Sequence, residues 1–326
     1  MRRRDVLAAG LAGLLSHPLR PAWGQQFPAR PIHVIVPSSP GGIHDVIART
    51  WAGRVATDLG TPIIENRGGG NALIALAAVT NAAPDGHTLL LGSTSTIVMR
   101  VLEDSSKYAA AAALEPATIF AASSTSIVAS PRLPVTTMKE FIAYAKDRPG
   151  KLSFGSGGTG AITHVAGELF SQRARLDMLH VPYKGIAPAL NDFLGSRLDA
   201  LFPNVTASIL QMHANREIRI LAVNAPERID AAPNIPTAIE AGLPDFVAQL
   251  TFGLYAPAKT PMRILERIAR ATNAGWADKD FQKKMIQVGF EPVLGAGPDK
   301  SRQMMSDDYV RWKPAIDAVL ARESGN

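Results

Sequence analysis

Two glycine-rich stretches hold the residues best suited to chemistry in this chain: PSSPGGIHD from Pro37 to Asp45, and GSGGTGAITH from Gly155 to His164. Each follows a short apolar run, at 32–36 and 152–154, and each opens a helical pattern. A junction of strand, glycine loop and helix exposes unpaired backbone N–H groups at the positive end of the helix dipole, and glycine lets a ligand approach them closely. Each stretch therefore predicts a small anion site. In open parallel sheets ligands bind at the carboxyl ends of strands, so two such corners from two lobes would clamp one anion between them.

Enzyme signatures fail on spacing. A nucleophile elbow needs glycine two positions before its serine, and Phe154 precedes Ser156 there. Gly155, Gly157 and Gly160 satisfy G-x-G-x-x-G but lie mid-chain, with no acidic residue at a following strand end, so the dinucleotide match is weak. No G-x-x-x-x-G-K-[ST] occurs, and of the histidines after residue 24 (His33, His44, His87, His164, His180, His213) no two stand at i, i+4 around a glutamate. No metal site, cofactor or catalytic residue is expected. Asp307 and Asp308 read as a solvated helix face.

Composition narrows the class further. With 46% hydrophobic and 19% charged residues over 326 positions, the chain is expected to fold, and its length suggests two lobes. The absence of cysteine excludes disulfides, thiolate metal sites and a lipidated bacterial N-terminus. Half of the net charge of +6 comes from Arg2, Arg3, Arg4 and Arg20 against Asp5, and no block of five basic residues follows, so a nucleic-acid partner is not expected. The basic cap and the apolar run 6–15 read as an export signal, too short to span a bilayer. Arg3-Arg4-Asp5-Val6-Leu7 resembles a twin-arginine signal, and Ala22-Trp23-Gly24 predicts cleavage after Gly24 and a periplasmic location.

The elements that must position the two corners follow from hydrophobic period. Ile43, Ile47, Trp51, Val55 and Leu59 share one helical face after the strand 32–36. Further strands are expected at 62–64 and 88–91, around a helix 72–82 capped by Asn71. A second unit comprises strands 127–129, 152–154, 198–202 and 218–223 with helices 138–146, 163–172 and 208–214. A strand 252–256 and helices 262–277, 281–287 and 300–320 complete an α/β chain with parallel sheets.

Seven strings carry a family resemblance: SPGGIHD, ENRGGGN (Glu65 to Asn71), PDGHTLLLG (Pro84 to Gly92), FGSGGTGAITHVAGELF (Phe154 to Phe170), HVPYKGIAPAL (His180 to Leu190), PNIPTAIEAGLP (Pro233 to Pro244) and GLYAPAKTP (Gly253 to Pro261). In this order they resemble the Bug family, the TctC-like periplasmic solute receptors of tripartite tricarboxylate transporters. The resemblance implies a type II periplasmic-binding-protein fold, with two Rossmann-like lobes joined by two crossing strands. Residues 25–127 and 250–326 would form the first lobe and 128–249 the second. It implies a monomer that captures a small carboxylate and passes it to integral membrane subunits. An orphan carboxylate sensor and, less favoured, a Rossmann-type oxidoreductase are the alternatives.

The family's ligand positions fall on Ser38, Ser39, Gly41, Gly42 and Asp45 in the first corner, and on Ser156, Gly158, Thr159 and His164 in the second. Thr94, Ser95 and Asn204, just past strand ends, match cleft-lining positions. Two have an equal structural reading: Asp45 as a complement to its helix dipole, His164 as a buried brace. Met99-Arg100 replaces a common Asn-Pro, Tyr108-Ala109 a Tyr-Asp, Thr251 a tryptophan and Ala161 a serine. These departures imply a ligand other than citrate or an acidic amino acid, among monocarboxylates and dicarboxylates, aromatic ones included.

Overall fold

Apolar β-branched runs and glycine turns set the first layer. In the computed structural model, which describes residues 27–69, 72–106 and 109–324, β1 (His33–Val36) pairs in parallel with β2 (Ile63–Asn66) and β3 (Thr88–Ser93). The export signal and the Asn71 cap lie outside the described residues. Between β1 and β2 runs α1 (Ile43–Leu59), which buries Ile47, Trp51, Val55 and Leu59 as its period predicts but leaves Ile43, at its first residue, exposed. After β2, α2 (Leu73–Thr80) covers the other face of the sheet near Ile35 and Leu90.

The chain then runs through β4 (Glu115–Ser124) directly into the second sheet at β5 (Ser126–Ala129). The second sheet follows the same strand–helix order. It contains α3 (Met138–Lys146), β6 (Leu152–Ser156), α4 (Ile162–Ala174), β7 (Met178–Pro182), α5 (Ile186–Leu194), β8 (Ala200–Leu201), α6 (Ala207–Ala214) and β9 (Arg219–Val223). The chain returns as β10 (Gln249–Ala256), then α7 (Met262–Trp276), α8 (Lys279–Gln287), β11 (Glu291–Pro292) and α9 (Pro298–Ser324). The strand orders are β11-β4-β10-β3-β1-β2 and β7-β6-β8-β5-β9. Two sheets joined by two crossing segments is the arrangement of a type II periplasmic-binding-protein fold. Among the described residues no helix is long and apolar enough to cross a membrane.

Register decides where the corners point. β10 is antiparallel to both neighbours, with Phe252 opposite Ser93 of β3 and Gln249 opposite Ser124 of β4. The carboxyl ends of β1 and β3 therefore lie at the edge where the chain leaves for the other sheet. There, Thr125 bridges to Asn204, Leu201 of β8 faces Val128 of β5, and β6 runs parallel to β8 with Gly155 opposite Leu201. Ser156 thus ends β6 at the same crossing edge. Both glycine corners open toward the seam between the sheets.

The crossing itself is densely bonded. The Thr125 N–H and hydroxyl both donate to the Ala248 carbonyl, at 2.9 and 2.7 Å, while Asn224 donates its N–H to the Thr125 carbonyl and its Nδ2 to the Thr125 hydroxyl, each at 2.8 Å. The C-terminal helix α9 ties the sheets together a second time. Its Ser301 hydroxyl accepts the Ile119 N–H of β4 at 2.9 Å, and its Pro314 carbonyl accepts Gln172 Nε2 of α4 at 3.2 Å.

In the first core the buried Trp51 indole donates to Thr272 Oγ1 at 2.8 Å, and that hydroxyl donates on to the Ile268 carbonyl. A valine at 272 keeps the shape and removes the acceptor, leaving the indole N–H unpaired in an apolar core. Thr272→Val is expected to cost about 1–3 kcal/mol, read as a fall in the urea midpoint at unchanged m-value. An unchanged midpoint would show that the indole finds another acceptor.

Candidate functional site

The first corner is built by α1 and β2 around Asp45. Asp45 is 3% exposed and accepts the Gly41 N–H at 2.8 Å and Arg49 Nε at 3.0 Å. The hydrogen bond from the Arg49 guanidinium, first, and the Gly41 N–H hold its carboxyl down at about 2. Arg49 also reaches Asn66 Oδ1, and Asn66 Nδ2 donates to the Ser38 carbonyl at 3.1 Å, so Asp45, Arg49, Asn66 and Ser38 form a ring that fixes the loop to β2. Gly41 turns the chain at φ 80°, and the Gly42 N–H closes the turn on the Ser39 carbonyl at 3.2 Å. Asp45 is thus the brace of this corner. Ser38 is half-buried and Ser39 exposed. The amides of the first turn of α1, beginning at Ile43, have no intrahelical acceptors and are the donors the corner presents.

Beside it the end of β3 carries a hydroxyl cluster. Ser93 Oγ lies 2.9 Å from Ser95 Oγ, 3.1 Å from Thr96 Oγ1 and 2.9 Å from His44 Nε2. The half-buried His44 ring packs edge-on against Phe252, and burial pushes its pKa down to about 4, so the imidazole is neutral at neutral pH. The sequence reading weighed His44 only as a metal ligand and passed it over, although it stands inside the SPGGIHD string. Thr94 takes a different place from Ser95. Its hydroxyl is buried, donates to Asp308 Oδ2 of α9 at 2.9 Å, accepts the Thr251 N–H at 3.1 Å and lies 2.7 Å from the Thr251 hydroxyl. The Thr94 side chain braces the lobe and does not line the seam. Asp308 itself is 2% exposed, which corrects its expected place on a solvated face.

The second corner is held from below by two histidines. Ser156 Oγ lies 2.7 Å from His180 Nε2 and accepts the Gly158 N–H at 3.1 Å. His164 Nδ1 accepts the Gly160 N–H at 3.1 Å, which assigns that ring's proton to Nε2, facing Glu168 at 3.8 Å. The two imidazoles stack at 3.7 Å, and Phe154 stacks on His180 at 5.0 Å. With Ser156 fully buried and His164 5% exposed, both side chains shape the loop from beneath. Gly158 is half-buried and Thr159 exposed, at the rim. His180, within HVPYKG, is the member that sequence reasoning missed. Asn204 sits apart from the corner, donating Nδ2 to the Ser123 carbonyl and hydroxyl at 3.3 and 3.2 Å in the crossing.

Gly157 Nα donates to Thr163 Oγ1 at 2.9 Å and Ala161 to the Gly158 carbonyl, so the second corner also satisfies much of its own backbone. What it can offer an anion is the rim of Gly158 and Thr159 and the first turn of α4. The two corners touch the same seam: Arg100, in the turn after β3, donates Nη2 toward the Gly160 carbonyl at 3.5 Å.

Comparison with known proteins places this geometry. A family profile described as "Tripartite tricarboxylate transporter family receptor" matches residues 47–320. The chain is 34% identical to Protein BugT of Bordetella pertussis over 98% of its own length and 95% of that protein. It superposes with a TM-score of 0.73 on an adipate-bound protein of R. palustris, at 27% identity over 90% of this chain and 98% of that one. A malate-bound protein of Rhodopseudomonas palustris, MatC, gives 0.72 at 26% identity over 89% of this chain and 100% of that one. A fold of two sheets with its glycine corners at the seam and a profile match over most of the sequence lead to one conclusion: this chain belongs to the TctC family of tripartite tricarboxylate transporter receptors.

Proposed function

We propose that this receptor is exported to the periplasm, captures a small organic carboxylate between the glycine corners of its two lobes, and delivers it to the membrane subunits of a tripartite transporter. The lobes comprise residues 25–127 with 250–326, and 128–249. The protein works as a monomer, without cofactor and without turnover. One observation carries the reading: by strand register both corners, His44 and Ser95 beside one and Thr159 on the other, open toward a single seam. Main-chain amides at helix N-termini favour a carboxylate without an arginine clamp. Relatives bound to adipate and malate support the ligand class. Ligand residues in this reading are Ser38, Ser39, Gly41, Gly42, Ser95, Gly158 and Thr159, with Asp45, Ser156 and His164 holding the loops.

A thermal-shift panel of aliphatic, amino-acid and aromatic acids on protein beginning at Gln25 tests it. At a hundred-fold excess over Kd, a ligand adds about 2.7 kcal/mol to the native state and raises Tm by several degrees. A panel in which no acid raises Tm would refute the carboxylate reading. Mass spectrometry of molecules released on denaturation would name the acid.

A further inference from the structure

Two imidazoles lie beneath the second corner, and each is bonded to its glycine loop. His164 reaches the loop through the Gly160 N–H at 3.1 Å, and His180 through Ser156 Oγ at 2.7 Å, which also accepts the Gly158 N–H at 3.1 Å. The rings stack at 3.7 Å with 16° between their planes, so two positive charges would repel and the pair holds one proton at most. The two places for it are unequal. A proton on His164 Nδ1 would break the bond from Gly160. One on His180 Nε2 breaks nothing: the ring then donates to Ser156 Oγ, and the hydroxyl turns its own proton to the Gly158 carbonyl, 3.2 Å away, while the Gly158 N–H stays bonded.

The charged groups on the elements around this pair are mostly committed. Glu168 of α4, 2% exposed, lies 3.8 Å from His164 Nε2. In the turn after β3, Arg100 pairs with Glu103 and reaches Gly160. On α9, Asp308 pairs with Arg311 and Asp317 with Lys313; past β7, Lys184 is exposed and Asp192 of α5 binds Arg197 and Tyr183. An imidazole changes charge near neutral pH. The other imidazole at the seam, His44, is pushed down to about 4 by burial and stays neutral there. A cation on His180 would stand one hydroxyl away from the Gly158 amide, under the rim that faces the seam. It would attract an anion at that rim, and by reciprocity the anion favours the cation. We propose that His180 is a positioning residue that takes up a proton as the carboxylate is captured, so that the charge entering the seam is compensated from beneath and binding tightens as pH falls. The proposal rests on the carboxylate reading above and adds a proton to it.

The test is calorimetric titration of the mature chain with adipate, malate, glutamate and benzoate. For the tightest binder, heats measured at pH 7 in phosphate and in Tris, which differ widely in ionisation heat, count the protons taken up. The expected result is an uptake of roughly half a proton and an affinity roughly 3- to 10-fold lower at pH 8 than at pH 6, the coupling expected of one neighbouring charge. His180→Gln, whose amide can still bond Ser156, should abolish the uptake and flatten the pH profile. Asp308, pushed up to about 6 by burial, is the other group able to take a proton in this range, and Asp308→Asn should leave the uptake in place. In the unaltered protein the His180 Cε1 resonance should move toward its protonated position when the acid is added at pH 7, which decides the matter even if His180→Gln does not fold. Equal heats in the two buffers, or uptake that persists in His180→Gln, would overturn the proposal and leave the carboxylate reading standing. A purely structural His180 would overturn it too, showing as weaker binding in His180→Gln by the same factor at every pH. Binding of none of the four acids would remove the proposal together with that reading.

Discussion

Replacing Gly158 with valine is expected to weaken binding of the captured carboxylate at least ~100-fold while leaving the protein folded. Gly158 has φ 119°, a conformation L side chains rarely adopt, and a Cβ there would lie 3.1 Å from the Tyr183 carbonyl. Strain of about 1–3 kcal/mol forces the loop to relax, and relaxation moves the Gly158 N–H off Ser156 Oγ and shifts the rim that faces the seam. On the carboxylate reading, losing two amide contacts to a charged ligand, each worth about 1.5–3 kcal/mol, would give that factor. The stability cost is small by comparison, because Gly158 is half-buried and Ser156 keeps its bond to His180. Gly157→Ala is the control. Gly157 needs no positive φ, and its added Cβ would meet Ile186 Nα at an ordinary 3.4 Å. Isothermal titration of both variants with the acid found in the thermal panel reads the difference; unchanged affinity in Gly158→Val would take that glycine out of the site.

What the sequence disclosed follows the strength of its periodic signals. The β1, glycine loop and α1 unit was legible because Ile47, Trp51, Val55 and Leu59 repeat at helical spacing and all are buried. The crossing strand β4 was not. Its EPATIFAASS is built of small residues with little alternation, and nine of its ten residues are buried because β10 and β11 flank it and helices cover its faces. Two-residue β11 was missed for lack of length and five-residue β7, MLHVP with only Met178 buried, for lack of a buried apolar run; both are sheet edges. At the site, the glycine corners could be read because backbone chemistry is written in local sequence. Side-chain partners could not. Thr94 finds Asp308, and Arg100 finds Gly160, across separations no local pattern encodes. Asp45 and His164 each had two sequence readings, and in both the structure shows a bracing side chain, bonded to Gly41 and Gly160 respectively.

Asp308→Asn and His44→Gln should tilt the pH dependence of stability in opposite directions. Burial, only partly offset by Arg311 and the Thr94 hydroxyl, raises the Asp308 carboxyl from 3.8 to about 6. An acid with a raised folded pKa contributes stability that is full below its unfolded value and is lost as pH rises through the folded value. The whole loss is about 3 kcal/mol, of which about 1 kcal/mol falls between pH 5 and 7. His44 works the other way. Burial lowers it from 6.5 to about 4, so the unfolded chain binds the extra proton and stability rises with pH over the same interval. Carboxylates held low, such as Asp45 at about 2, are ionised in both states above pH 5 and contribute no slope there. Between pH 5 and 7 the two groups therefore oppose each other in the unaltered protein. Asp308→Asn removes the falling contribution, so its Tm should climb more steeply with pH than that of the parent; His44→Gln removes the rising one, and its Tm should climb less or fall. The difference from the parent is expected to be about 2–4 °C across the window for the aspartate variant. Melting curves of the three proteins at pH 5, 6 and 7 decide it. A Tm profile for Asp308→Asn parallel to the parent would mean that Arg311, 2.7 Å from the carboxylate, outweighs burial and keeps Asp308 ionised throughout.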